Sequence, residues 1–438
     1  MHLPTAPRSI SRRSFLRTAL AAGVPPLVVP ARVRSALAPS QRLHLGFIGV
    51  GGHGFGYNLK HFLNEEDCRA VAVCDAFRDR TQKAANAVNE KYADSGCKTV
   101  ADFREIIADP GVDAVVISTP DHWHVPMALL ALAAGKHVFC EKPTFVIGEG
   151  RTLAAAVKKS GLTFATGLED RSVIQYHKLI EWLRNGAIGD LYHIDVTLPP
   201  GRIHPAEPEA PVPTGLDWEM WLGPAPFHPY TPTRTGWLNW RMIRDYSTGM
   251  LTDWGSHLVD TAQLAANDPH GWPVDVKAWG QPVPPGSQSD LPGAFEVHYR
   301  YANGVTLAVK TGDKSDLGPN AFIRLLGSKG WISNTGWRGR FEASDPAILQ
   351  IKYAPGQSRH WPLPPGEHRN FLDAVRHRQT PTYSAETLHR LCTPLHAGLI
   401  AMDLGRPLRW DSKKEEFIGD PEANRRLGRK TRDAWQRR

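Results

Sequence analysis

The sequence predicts an α/β chain in two parts: a parallel sheet covered by helices on both faces, then an α+β half built on a large, mostly antiparallel open sheet. Three observations carry that prediction. From Leu43 to Thr166, short apolar runs alternate with helical patterns, the mark of strands buried on both faces. From Pro199 to Gly215 prolines are too dense for a helix or a central strand, and the rhythm breaks. Beyond that stretch, β-rich runs follow one another with only turns between them.

In order, the predicted strands of the first part are Leu43–Gly49, Arg69–Cys74, Asp113–Ser118, His137–Cys140 and Leu162–Thr166. Helices are expected between them at Asp79–Tyr92, Ala101–Ala108, Val125–Ala134 and Gly148–Ser160. After Gly167, Val173–Asn185 reads as an amphipathic helix and Leu191–Leu198 as a strand. Phe295–Tyr301 and Val305–Thr311 form a hairpin about Ala302-Asn303-Gly304, because Asn-Gly suits a tight turn. Further strands are expected at Phe322–Leu326, Trp331–Ser333 and Leu349–Tyr353, with helices at Glu367–His377 and Ala385–Leu404. The predicted division is 1–40 leader, 41–167 first domain, 168–410 second domain and 411–438 basic tail.

Charge narrows the function. The 438 residues carry a formal +8, but residues 1–40 hold six arginines and no acid, so the remainder carries about +2. That balance has no basic stripe and argues against a nucleic-acid partner. The arginines of the tail, from Arg425 to Arg438, are expected to be solvated. The leader reads Ser11-Arg12-Arg13-Ser14-Phe15-Leu16, then a weakly apolar run to Val29, too short for a stable membrane span. Paired arginines before Phe-Leu resemble a twin-arginine signal, which implies export of a folded protein to the periplasm. Five cysteines with no C-x-x-C pair describe neither a disulfide framework nor a zinc site.

The glycine-rich turn Gly49-Val50-Gly51-Gly52-His53-Gly54 follows a strand and precedes a helix, as in a Rossmann dinucleotide site. Gly49 permits the tight turn, Gly51 lets backbone approach a pyrophosphate, and Gly54 lets helix and strand pack closely. Asp75 ends the next strand, 21 residues after Gly54, where an acid holds the ribose 2′-hydroxyl. NAD is therefore expected, with Arg78 and Arg80 keeping NADP as an alternative. Two further loops leave the same sheet edge: Ser118-Thr119-Pro120-Asp121-His122-Trp123-His124 and Glu141-Lys142-Pro143. Thr119, Pro120, His124, Glu141 and Lys142 are thus placed beside the cofactor, with Trp123 and His124 as walls by the nicotinamide. His122 and His124 have metal-like spacing but no third ligand, so no metal is expected.

Together with Asp253-Trp254-Gly255-Ser256-His257 and the Arg409-Trp410-Asp411 to Asn424 run, these motifs resemble the Gfo/Idh/MocA oxidoreductases over nearly the whole chain after the leader. The resemblance implies a catalytic Lys142, Asp253 and His257, and a cis Lys142–Pro143 bond. His257, whose ordinary pKa is nearest neutrality, is the expected general base; Lys142 would hydrogen-bond the reacting hydroxyl, and Asp253 would lie near His257 on one helical face. The residues by themselves also allow Asp253 to cap a helix at Ser256 and His257 to pair with Asp260. Trp218, Trp221, Trp237, Trp240, Tyr230 and Tyr246 suit sugar faces, and Arg241, Arg244 and Asp245 among them suit hydroxyls or a carboxylate. Trp123, Arg171 and Tyr176 are further expected substrate contacts. The implied activity is exported, NAD(P)-dependent oxidation of a sugar, cyclitol or polyol. A redox-neutral glycosidase or epimerase acting through a 3-keto intermediate, and a silent sugar-binding protein, stand as alternatives. Self-association through the second sheet is expected by the same resemblance.

Overall fold

The computed structural model describes residues 42–266, 272–312, 322–353, 356, 363–432 and 435. The expected export leader lies outside them. The first sheet has β1 (Leu43–Ile48), β2 (Cys68–Cys74), β3 (Lys98–Val100), β4 (Ala114–Ile117), β5 (His137–Cys140) and β6 (Phe164–Thr166), mostly buried apolar runs, with β3, exposed at Lys98 and Thr99, as an edge. All pairs are parallel and the order is β3-β2-β1-β4-β5-β6. The strand order reverses between β1 and β4, and the loops leaving those two strands open the crevice where such sheets bind dinucleotides. Helices begin where local chemistry allows. Pro120, held extended, precedes Asp121–Ala133, and the left-handed Gly161 ends Ile147–Ser160.

Among the described residues, the second sheet has nine strands: β7 (Leu191–Leu198), β8 (Asp275–Gly280), β9 (Phe295–Arg300), β10 (Thr306–Thr311), β11 (Phe322–Gly327), β12 (Gly330–Asn334), β13 (Phe341–Ala343), β14 (Leu408–Asp411) and β15 (Glu416–Phe417). Their order is β13-β12-β11-β7-β10-β9-β8-β14-β15, antiparallel except that β7 pairs with β10 in parallel. Period-two alternation sets its faces. In β9, Phe295, Val297 and Tyr299 are buried while Glu296, His298 and Arg300 are exposed. Helix Ala385–Leu404, capped by Ser384, packs against both helix Ile147–Ser160 and β8, so it joins the two halves. His396 Nε2, 2.9 Å from Thr144 O, fixes that junction just past the Lys142 loop.

Two expectations fail. Leu349–Tyr353 is no strand: Asp345 caps a 3-10 turn over Pro346–Gln350, with Pro346 starting it. The basic tail is only partly solvated: Arg425 and Lys430 are exposed, Arg437 and Arg438 lie outside the described residues, and the rest is tied down. Its arginines meet acids far away in sequence: Arg429 Nε pairs with Glu149 at 2.6 Å and its Nη2 donates to His122 O at 2.7 Å. Arg432 Nη2 donates to Gly223 O at 2.7 Å, and Trp435 packs edge-on against Trp123 at 5.0 Å. All five cysteines are free thiols, four of them buried.

Candidate active site

A cavity of about 530 Å³ runs from Asp75, past the glycine turn, to Lys142, Asp253 and His257. At its first end the glycines do different work. Gly49 sits at φ +83, and a Cβ there would lie 2.6 Å from Ser118 O. A Cβ on Gly54 would meet Gly49 O at 2.1 Å, so helix and strand touch through it. Gly52 lies beneath the Trp237 ring, 2.0 Å from where a Cβ would stand, so a strap from the second half crosses the turn. Asp75 accepts the N–H groups of Val50 and Phe77, both at 2.9 Å, and still lines the cavity. Arg80 stacks on Phe77 at 3.8 Å and stands 3.9 Å from Asp75. Thr119 Oγ1 is buried in the lining without a partner, a hydrogen-bonding group available to a ligand. These features fit a dinucleotide.

Lys142 arrives on the loop leaving β5, with a cis bond to Pro143. Its Nζ donates to Asp253 Oδ1 at 2.7 Å and to Asp253 O at 3.1 Å. Asp253 ends the short helix Met250–Asp253, and His257 lies in Gly255–Ala266. Trp254 between them keeps helical angles, so Asp253 and His257 share a face. The local alternatives are both excluded. Ser256 Oγ donates to Thr252 O rather than meeting Asp253, and Asp260 is taken by two bonds from Arg171, at 2.7 and 2.6 Å. His257 Nδ1 stands 3.8 Å from Asp170 Oδ2, beyond hydrogen-bond range, and has no partner.

Electrostatics assign protonation states. Burial and then Lys142 push His257 down to about 4, so the ring is neutral near neutrality. Burial opposes the Lys142 charge, but Asp253 prevails and raises its pKa. Asp253 is itself held well below the usual carboxylate range, against burial, by Arg241 and Lys142. Arg241 Nε is 2.9 Å from Asp253 Oδ2, though the N–H does not point along that line, so the contact is an ion pair without a hydrogen bond. Glu141 accepts from Asn58 at 2.8 Å and stands 3.1 Å from His53 Nε2. Burial works against its charge, but His53 and Asn58 bring it down to about 2. Glu141 and His53 thereby tie the lysine loop to the glycine turn.

Of the other expected contacts, Pro120, Trp123, His124 and part of the tryptophan-rich segment line the cavity, and the rest lie outside it or support it. His124 places one ring nitrogen 2.9 Å from Pro143 O and the other 2.9 Å from Thr119 O, stapling the two loops. His122 is fully buried between Tyr246 O and Trp221 O, and burial lowers it to about 3. Trp123 packs edge-on to Phe103, and both line the cavity. Arg171, bound to Asp260, and Tyr176, whose hydroxyl accepts from Arg338 N, are buried supports outside the lining. Arg244 pairs with Asp403, and Asp245 with His228, while Trp221, Trp237, Trp240 and Arg241 line the cavity. Trp218 and Tyr230 are core: Trp218 stacks on Trp221, and Tyr230 meets Trp218 edge-on.

Glu169 and Trp337 line the substrate end and were not foreseen. Glu169 follows β6, and the rule that drew attention to the ends of β4 and β5 points equally to it. Burial, then Glu141 and Glu367, raise Glu169 to about 7. Trp337 comes from the loop after β12 and donates to Asp170 Oδ2 at 2.8 Å; nothing local in the sequence signals it. Among the described residues, no group of three or more His, Cys, Asp or Glu side chains is arranged to hold a metal, and no helix is long and apolar enough to cross a membrane.

A dinucleotide cradle, with a second half that sets an aspartate and a histidine on a lysine at the strand edge, defines an NAD-binding oxidoreductase. The chain belongs to the Gfo/Idh/MocA oxidoreductase family: its NAD-binding Rossmann fold matches residues 43–168, and its C-terminal alpha/beta domain matches residues 203–437. Curated relatives include a glycosyl hydrolase family 109 protein of Shewanella sp. strain ANA-3, 32% identical over 42% of this chain. Another is D-glucoside 3-dehydrogenase of Escherichia coli K12, 29% identical over 36% of this chain. Each alignment spans 44% of the relative, less than half its length. Among solved structures, levoglucosan dehydrogenase in complex with NADH and levoglucosan shares the fold at a TM-score of 0.61 and 20% identity, covering 84% of this chain and 99% of the other.

Proposed function

We propose that this protein transfers a hydride between a tightly held NAD and a hydroxyl-bearing carbon of a sugar, cyclitol or related polyol. One observation carries the reading: a protonated Lys142, fixed by Asp253, and a neutral His257 face one cavity continuous with the dinucleotide cradle. NAD supplies the hydride acceptor when bound. Lys142 donates a hydrogen bond to the substrate oxygen and stabilises the developing alkoxide. The neutral His257 ring takes the hydroxyl proton. Asp253 keeps the lysine charged and in place. Trp337 and Trp240 offer aromatic faces to the ring. The sugar dehydrogenases among the relatives support the substrate class.

The relatives named for glycosyl hydrolase family 109 favour a second reading, in which the same NAD oxidises the sugar and is restored within one cycle. Arg12-Arg13 before Phe15-Leu16 supports delivery to the periplasm by the twin-arginine route, where a retained cofactor needs no external pool. Exposed Trp279, beside Glu296 and His298 on the open sheet face, supports self-association there. The test is to purify the protein, assay released nucleotide for NAD(H), and screen sugars and glycosides. Reduced NAD appearing with a free sugar supports the dehydrogenase; aglycone release without net reduction supports the second reading. Bound sugar with neither activity leaves a binding protein.

A further inference from the structure

Arg241 has no proton or hydride to move in that scheme, yet it occupies the reaction end of the cavity. It sits on the 3-10 turn Asn239–Met242, flat over Trp240 at 4.3 Å and 5.9 Å from Trp237. Its Nη1 is buried with no partner, and its Nε, near Asp253, makes no aligned bond. The other charged groups of this region are engaged elsewhere. Arg244 is held by Asp403, Asp245 by His228, and Arg338 by Asp170 and Glu169. Among the described residues, Asp253 is the carboxylate paired with both Lys142 and Arg241, so two cations share it. A planar guanidinium that lines the cavity, with N–H groups unpartnered and its carboxylate shared with a second cation, matches a planar pair of anionic oxygens.

We propose that Arg241 is an anion-reading residue of the cavity, taking a pair of anionic oxygens from the bound ligands. Two sources present that chemistry here: the carboxylate of a sugar acid, which rests on the polyol reading above, and the pyrophosphate of the dinucleotide. In the first case Arg241 sets specificity for acidic over neutral sugars. In the second it closes the cofactor in from the side opposite the glycine turn, next to the Trp237 strap.

Tryptophans 237 and 240 flank the guanidinium, so intrinsic fluorescence reads both arms without turnover. The full chain, Arg241→Gln and Arg241→Lys are titrated with NAD after cofactor removal, and, loaded with NAD, with D-glucuronate and D-glucose. The carboxylate source predicts that wild type prefers glucuronate about tenfold and that Gln abolishes the preference, with NAD affinity unchanged. The pyrophosphate source predicts about a tenfold loss of NAD affinity in Gln, partly restored in Lys, which keeps the charge without the fork. Changes below twofold in both arms overturn the proposal, and so does an equal loss for glucose and glucuronate, which would make Arg241 a reader of hydroxyls. If wild type binds neither sugar, the polyol reading falls and the NAD arm alone decides. Lys, which preserves the Asp253 ion pair, decides the outcome should Gln not fold.

Discussion

Asp253→Asn is the most informative single change in this molecule. The carboxylate is buried, with Lys142 at 2.7 Å on one oxygen and Arg241 at 2.9 Å on the other. The amide keeps the shape and removes the charge, which strands two buried cations. Breaking a buried pair from one side costs about 3–5 kcal/mol. A chain of roughly 400 residues unfolds with an entropy near 0.8 kcal/mol/K, so the melting midpoint should fall by roughly 4–6 °C. The measurement is thermal unfolding at pH 7 with NAD held at one saturating concentration, since bound ligand shifts the midpoint by mass action. Adding Arg241→Met removes one stranded cation and should recover about half the loss, a coupling that independent sites would not show. The sign with pH also follows. A depressed carboxylate contributes stability above its unfolded value near 4, and the contribution disappears as pH falls through and below that value. The Asn variant should therefore converge on wild type in acid. Loss of the lysine's anchor should also cut kcat by about a hundredfold. A midpoint within about 1 °C of wild type at pH 7, with kcat intact, refutes the assignment.

Because burial and Lys142 hold His257 near 4, kcat should stay level from pH 8 to about 5 and fall only as pH drops through about 4; a decline beginning at about 6.5 would mean an unperturbed histidine. Glu169, raised to about 7, binds a proton in the folded state that the unfolded chain has already released, so its contribution is lost as pH rises from about 4.5 through 7. Glu169→Gln should flatten that limb of the thermal midpoint by at most about 3 kcal/mol, and an unchanged limb would remove the effect from Glu169. Gly52→Ala drives a methyl into the Trp237 ring and should speed NADH release in stopped-flow by about tenfold, with Trp237→Gly restoring part of the retention. Asp75→Ala should weaken NAD binding and narrow its preference over NADP, measured as the ratio of the two dissociation constants; an unchanged ratio would take Asp75 out of the ribose site.

The dinucleotide half was readable because its signals are local. A strand, a glycine turn and an acid 21 residues on lie within one supersecondary unit, and the ends of β4 and β5 follow from it. Lys142, Asp253 and His257 came together as the resemblance implied, but the residues alone allowed a cap and an Asp260 pair. What decided between them was Arg171, 89 residues from Asp260, whose two bonds no local pattern announces. The same distance hid the true place of Arg171 and Tyr176, which looked like ligands because they follow the last parallel strand. In the second half, alternation revealed the hairpin of β9 and β10, but not that β7 would insert beside β10 in parallel. Trp337 depends on that arrangement and was invisible without it. The tail arginines looked solvated because their acids, Glu149 and Glu219, lie more than two hundred positions upstream.

That returning segment also imposes an order of events. The cavity wall contains Trp123, yet the residues that brace it include Arg429, bonded to a carbonyl 307 positions earlier, and Trp435. A ribosome that has released the whole dinucleotide half has therefore released an unfinished container. The wall at Trp123 closes only once residues near the end of the chain have been made.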